Sequence, residues 1–246
     1  MKVYLTNDDG ITAPGLRVLA GVVSDFSDDV TVVAPKTNQS GKSQAITIDH
    51  SLHVKPYATE DMGIDAYAVA GTPTDCVRLI MAGAFGEPPD LLLSGVNWGS
   101  NLGPDVYLSG TVGAARQAAL HRIPAIAWST DNFSEKMVAD LVAQYLESTV
   151  AMALASPGTL YNVNFPMRGG TSSALATLNG PWYTDQVTWV DGSHADLSRE
   201  IQEADIDVGS DVFCVRQGLT SISPIVVSRR AKKTGAVQND LTVKIG

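Results

Sequence analysis

Between Val3 and Pro166, short dense apolar runs alternate with longer stretches whose apolar positions follow a helical spacing. Val3 to Thr6 is a β-branched and aromatic run that stops at Asn7-Asp8-Asp9-Gly10, which predicts a strand ending in two carboxylates. Thr12 is placed to cap a helix that begins near Pro14, and Leu16, Leu19, Ala20 and Val23 give that helix its apolar stripe. Val30 to Val33 predicts the next strand, and Ala45 to Val54 and Ile64 to Val69 two more. Gly71-Thr72-Pro73-Thr74-Asp75 opens a helix with Cys76, Val77, Ile80, Met81 and Ala84 on one side. Asp90 to Ser94 and Ala125 to Ser129 read as buried strands, separated by a Gly- and Asn-rich loop, Gly95 to Pro104, and an alanine-rich helix, Ser109 to His121. A helix from Ser134 to Ala155 and a strand from Leu160 to Asn164 close the alternation.

Strand, helix and strand in close succession make βαβ units, whose right-handed crossovers build a parallel sheet with helices on its faces. The predicted fold class is therefore α/β. Beyond residue 167 the pattern changes to short β-like runs, Gln186 to Val190, Asp211 to Val215 and Ser221 to Val227. Residues 168–246 are read as an antiparallel β extension of a single domain over 1–246, an arm or oligomerisation element added to a core over 1–167.

A length of 246 residues suits one such domain, and 44% hydrophobic with 17% charged residues excludes wholesale disorder. A net charge of −9 repels nucleic-acid duplexes and anionic membranes, so an anionic substrate would need a local cation. The 26 acidic residues comprise 20 Asp and 6 Glu, a skew towards the residue that favours caps, turns and metal loops. Cys76 and Cys214 form no CxxC or Cys/His cluster, which argues against a disulfide scaffold or zinc knuckle. With no signal-type h-region and no run approaching the ~20 apolar residues of a membrane span, the expectation is a cytoplasmic protein.

In an open parallel sheet, ligands bind at the carboxyl ends of the strands. Three polar turns share that edge: Asn7 to Gly10, Pro35 to Ser43, and Ser94 to Asn97. Adjacent carboxylates repel unless a proton or cation intervenes, so Asp8 and Asp9 read either as a divalent-metal seat or as caps of the turn and helix. Ser40 and Asn97 add oxygen donors, and this hard set without histidine suits one Mg²⁺ or Mn²⁺, with Ca²⁺ as a third fit, over Zn²⁺. Ser109-Gly110-Thr111 begins a helix and offers a phosphate seat, although helix capping explains Ser109 equally well. Gly41-Lys42-Ser43 is no P-loop: Lys36 stands where the motif needs glycine, and a strand-like segment follows. The contiguous aspartates also lack the one-residue separation of an aspartyl-phosphate phosphatase. His50, His53, His121 and His194 are scattered and read as structural, and Arg229, Arg230, Lys232 and Lys233 as a solvated run.

The blocks LTNDDGITAPG (5–15), APKTNQSGKSQAIT (34–47), AGTPTDCV (70–77), LLLSGVNWGSNLGPDVYLSGTVGAARQAAL (91–120) and NVNFP (162–166) resemble the SurE family in order and spacing. The resemblance implies a Rossmann-like three-layer core and a metal-dependent 5′/3′-nucleotidase or acid phosphatase acting on nucleoside monophosphates. It carries the metal ligands to Asp8, Asp9, Ser40 and Asn97, with Asp8 and Asp9 as the catalytic pair. Asn7, Gly41, Asn101, Ser109, Gly110 and Thr111 would line the phosphate and substrate pocket, and the extension would make homodimer or homotetramer contacts. The chain departs from the family pattern at Ala118 to Arg122, and residues 168–246 match only through Gly218 to Pro224. The expected reaction is phosphomonoester hydrolysis by a metal-activated water. A non-catalytic nucleotide-binding regulatory module and a small-molecule kinase are the rival expectations.

Overall fold

β1 (Lys2–Thr6) buries every side chain from Val3 onward at the middle of the sheet. α1 (Pro14–Ser24) crosses one face to β2 (Asp29–Pro35), and β3 (Val54–Pro56) and β4 (Asp65–Val69) extend that side. After α2 (Pro73–Met81) the chain returns to the other side of β1 with β5 (Leu91–Trp98). A 3-10 turn (Gly103–Tyr107), α3 (Gly110–Leu120), β6 (Ala125–Thr130), α4 (Glu135–Ala155) and β7 (Thr159–Phe165) continue outward. Then come β8 (Ser173–Leu175), β9 (Tyr183–Trp189), β10 (Ala195–Ile201), a 3-10 turn (Glu203–Asp205), α5 (Asp211–Arg216) and β11 (Thr220–Val226). This computed structural model describes residues 1–59, 63–131, 134–168 and 170–227. The basic run from Arg229 to Lys233 lies outside them.

Among the described residues the main sheet has nine strands in the order β3-β4-β2-β1-β5-β6-β7-β11-β8, parallel from β4 through β7. The order in which successive strands are laid down reverses between β1 and β5, which stay parallel, and this makes their carboxyl ends the topological switch point, where α/β sheets open a crevice. Val3 and Leu5 face α1 and α4, while Tyr4 and Leu92 face α2 and α3, so period-two alternation in the strands builds two cores and three layers. α4 matches a membrane span by length and composition, yet its Val138, Leu141, Val142, Tyr145 and Val150 recur at helical spacing inside the core over β6 and β7.

Four local predictions need correction. Ala13, not Thr12, occupies the N-cap of α1, and no side chain caps it; Pro14 sets the start. Of Ala45 to Val54, only Val54 enters a strand. The segment before it has no strand partner and is held by side chains instead: the Thr47 N–H and hydroxyl donate to Asp75, and the Thr72 hydroxyl donates to the Ala45 carbonyl. The same Asp75 closes a capping box with Thr72 at the start of α2. β5 runs on through Gly95 to Trp98, so Asn97 stands on an irregular strand end and not in a loop. Asp211 to Val215 is helical, because the Ser210 hydroxyl caps Phe213 and overrides the β-branched run.

The expected antiparallel extension is so only in part: β11 pairs antiparallel with β7, whereas β8 beyond it pairs parallel with β11. β9 and β10 form a separate antiparallel hairpin. Asp211, fully buried, ties this part to the loop after β5, accepting from the Gly103 N–H at 2.8 Å and the Asn179 N–H at 2.9 Å.

Candidate active site

The turn after β1 shapes itself. Asn7 is fully buried, its amide donating to the Gly10 carbonyl at 3.0 Å and accepting the Gly10 N–H at 3.2 Å. This presents Asp8 and Asp9 at the switch point. The Thr111 hydroxyl donates to Asp8 Oδ1 at 2.5 Å, and the N–H groups of Thr111 and Gly110 also face that carboxylate. Burial outweighs these donors and raises the Asp8 pKa above the usual carboxylate range. Asp9 is pushed up to about 6, first by burial and then by the charge of Asp8, against a hydrogen bond from the Trp98 backbone.

Asp9 Oδ2 is buried and has no hydrogen-bond partner. Among the described residues, no lysine or arginine pairs with either carboxylate. A buried anionic oxygen without a partner next to a second carboxylate is what a bound cation would satisfy. Among the described residues no group of three or more His, Cys, Asp or Glu gathers, so any further oxygens for a cation would come from Ser40 and Asn97, which line the cleft beside Asp8. The arrangement fits a hard divalent ion.

Two further segments close the site. The Gln39 N–H donates to the Asp8 carbonyl at 2.7 Å, drawing the loop after β2 over the turn and bringing Ser40 and Gly41 to its rim. Gly95 lets β5 pass close to β6, since a Cβ there would stand 2.4 Å from the Trp128 carbonyl oxygen, and two residues later Asn97 reaches the same edge with its amide donating to the Gly99 carbonyl at 2.6 Å. Asp8, Ser40, Gly41, Asn97, Asn101 and Ser109 line one cleft of about 250 Å³. A larger cavity of about 370 Å³ lies between α1 and β2 and β4, and none of the predicted site residues borders it. Chemistry, not size, selects the smaller one.

Not every predicted pocket residue reaches the cleft. Asn7 is spent on its own turn. Gly110 and Thr111 point their donors at Asp8, so the phosphate seat expected at the start of α3 is engaged by an internal carboxylate, and only Ser109 of that trio borders the cleft. Ser109 also accepts from the Val112 N–H at 3.1 Å, the capping role that the sequence left open. Asn101 borders the cleft while β7 grips its backbone: its N–H donates to Asn164 Oδ1, and its carbonyl accepts from Asn162 and Asn164. Alternate asparagines on a strand share one face, so NVNFP carried that signal. Arg199 and Asp105 also line the cleft, and sequence reasoning missed both.

The family model for survival protein SurE matches residues 3–191. The chain belongs to the SurE family. A protein named 5′-nucleotidase SurE from Heliobacterium modesticaldum is 35% identical over 237 residues, covering 92% of this chain and 86% of its own. One of the same name from Rhizorhabdus wittichii is 43% identical over 176 residues, covering 68% and 67%. The crystal structure of the SurE protein from Aquifex aeolicus aligns with a TM-score of 0.79 at 27% identity, covering 93% of this chain and 94% of that one. The SurE model ends inside the β9–β10 hairpin, whereas the Heliobacterium SurE match spans nearly the whole chain. The blocks read from the sequence fall within the match to the SurE model, as do the residues lining the cleft except Arg199, which lies beyond its end.

Proposed function

We propose that this protein is a divalent-metal-dependent phosphomonoesterase that hydrolyses nucleoside 5′- and 3′-monophosphates to nucleoside and phosphate. Its similarity to proteins named 5′-nucleotidase SurE supports a nucleotidase. The observation that carries the metal reading is the buried, partnerless Asp9 Oδ2 beside Asp8 at the switch point. Asp8, Asp9, Ser40 and Asn97 would hold the ion, which when bound supplies Lewis-acid polarisation of the phosphoryl group and acidifies a water.

The chain's own residues supply the rest. Thr111 and the first N–H groups of α3 fix the Asp8 carboxylate, so it meets a ligand already oriented. Of the two adjacent aspartates Asp8 borders the cleft and Asp9 does not, so Asp8 is the one placed to take a proton from an attacking water. Ser40, Asn97 and Ser109 offer polar groups around the phosphoryl oxygens. The test uses the full chain after chelator treatment, with 5′- and 3′-monophosphates of each base. Phosphate release is expected to vanish on chelation and to return with Mg²⁺ or Mn²⁺. Release that survives chelation overturns the metal reading, nucleotide binding without release favours a regulatory module, and ATP-dependent transfer a kinase.

A homodimer or homotetramer is proposed through the hairpin. Val187 and Trp189 on β9 face the same side as Leu197 on β10, and all three are exposed, while Gln186, Thr188, Ser198 and Glu200 occupy the other side. An unpaired apolar face of this kind marks an interface. Leu197→Glu is expected to lower the mass measured by light scattering; an unchanged oligomer, or a monomeric starting protein, overturns this.

A further inference from the structure

A cleft that accepts a phosphomonoester must offset charge, because the protein carries −9 and both Asp8 and Asp105 border the space. Among the described residues lining it, Arg199 is the single basic side chain, and it arrives from β10, in the extension read from the sequence as an arm or oligomerisation element. Its guanidinium lies 4.1 Å from the centroid of the Tyr183 ring, and Nη1 donates to Asp105 Oδ2 at 2.9 Å. The Tyr183 hydroxyl donates to Asp105 Oδ1 at 2.7 Å. Arg199, Tyr183 and Asp105 therefore form a stack that joins the hairpin to the 3-10 turn just before Ser109.

Two physical points decide what such an arginine does. The ion pair is half-open to water, with the arginine side chain 46% accessible and the aspartate 15%, so solvent screens it on the arginine's side and the guanidinium can share its donors with a second anion. The aromatic ring meanwhile holds the guanidinium plane, and that planar fork carries five N–H donors matched to phosphate oxygens. A half-open, pre-oriented guanidinium at the wall of an acidic cleft is an anion receptor.

We propose that Arg199 binds the phosphoryl group of the substrate, so that the β9–β10 hairpin completes the cleft of its own chain. This rests on the phosphomonoesterase reading. Once the phosphoryl group docks, the guanidinium shares its donors between Asp105 and the phosphoryl oxygens, and its charge offsets that of the two aspartates. A lysine would supply the charge without the fork or the flat stack.

The experiment compares the full-length wild type with Arg199→Ala, Arg199→Gln and Arg199→Lys in the presence of Mn²⁺. Calorimetry measures the dissociation constant of inorganic phosphate, and kinetics measure KM and kcat for AMP. Arg199→Ala is expected to weaken phosphate binding and to raise KM by roughly ten- to a hundredfold, with kcat changed much less. Lysine should recover only part of this, and added methylguanidinium should recover the alanine variant. Wild-type phosphate affinity and KM in Arg199→Ala and Arg199→Gln overturn the proposal. So does a loss that neither lysine nor methylguanidinium reverses, which marks a staple of the hairpin. If the wild type releases no phosphate from any nucleotide, the phosphomonoesterase reading fails, and the phosphate affinities still decide on Arg199.

Discussion

Asp9→Asn is expected to abolish most phosphate release while making the metal-free protein more stable. Asp9 Oδ2 is buried without a partner, so the substitution places either a neutral oxygen or an N–H₂ where a cation would bind. The loss of turnover should be at least the ~10²–10³-fold that follows deletion of one electrostatic contact to a transition state. The stability change has the opposite sign for a separate reason. Burial and the Asp8 charge lift the Asp9 pKa to about 6, above the value near 3.9 of an unfolded chain. A carboxyl raised on folding destabilises the fold once it is ionised, and that penalty is relieved as pH falls through about 6. The neutral amide removes the penalty at pH 7, so thermal unfolding in chelator should move to higher temperature. Function lost with stability gained is the signature of a strained ligand site. An Asn variant that keeps most of its phosphate release sinks the assignment of Asp9. Asp8→Ala should behave differently, losing activity and also stability, because Thr111 and the start of α3 then lose a buried acceptor.

The sequence made some of this legible and hid the rest for identifiable reasons. Strand ends followed by polar turns gave Asp8, Asp9 and Ser40 a common edge, because parallel connection fixes which end of every strand meets the loops. Ser109 as the start of α3 was equally local. Ala45 to Val54 misled, since its apolar residues suit a strand but Thr47 and Ala45 bond to α2 instead. At Asp211 a capping serine outweighed β propensity. Arg199 was invisible because its meaning depends on pairing with Asp105, 94 residues earlier, through a hairpin that folds back over the cleft. Nothing local to β10 marks it.

Gly15→Ala is expected to destabilise the protein by about 2 kcal/mol net, although the same change normally strengthens a helix. Gly15 lies in the first turn of α1, where alanine would gain up to about 1 kcal/mol of propensity. Its Cβ, however, would fall 1.9 Å from the Val96 carbonyl oxygen and 2.9 Å from the Val96 carbonyl carbon, both backbone atoms of β5. Neither can rotate away, so the helix or the strand must shift, and forced overpacking of this kind costs about 1–3 kcal/mol or more. For a chain of this size each kcal/mol corresponds to roughly 2–4 °C in Tm, so a fall of several degrees should be measured. Val96 directly precedes Asn97, and the displaced strand end should also weaken divalent-ion binding. Gly21→Ala in the same helix isolates the cause. Its Cβ would meet no atom within 4 Å, so propensity acts alone and Tm should rise slightly. Equal shifts in the two variants would mean that α1 does not press against the strand that presents Asn97; opposite shifts would mean that the fit of that helix holds one wall of the site in place.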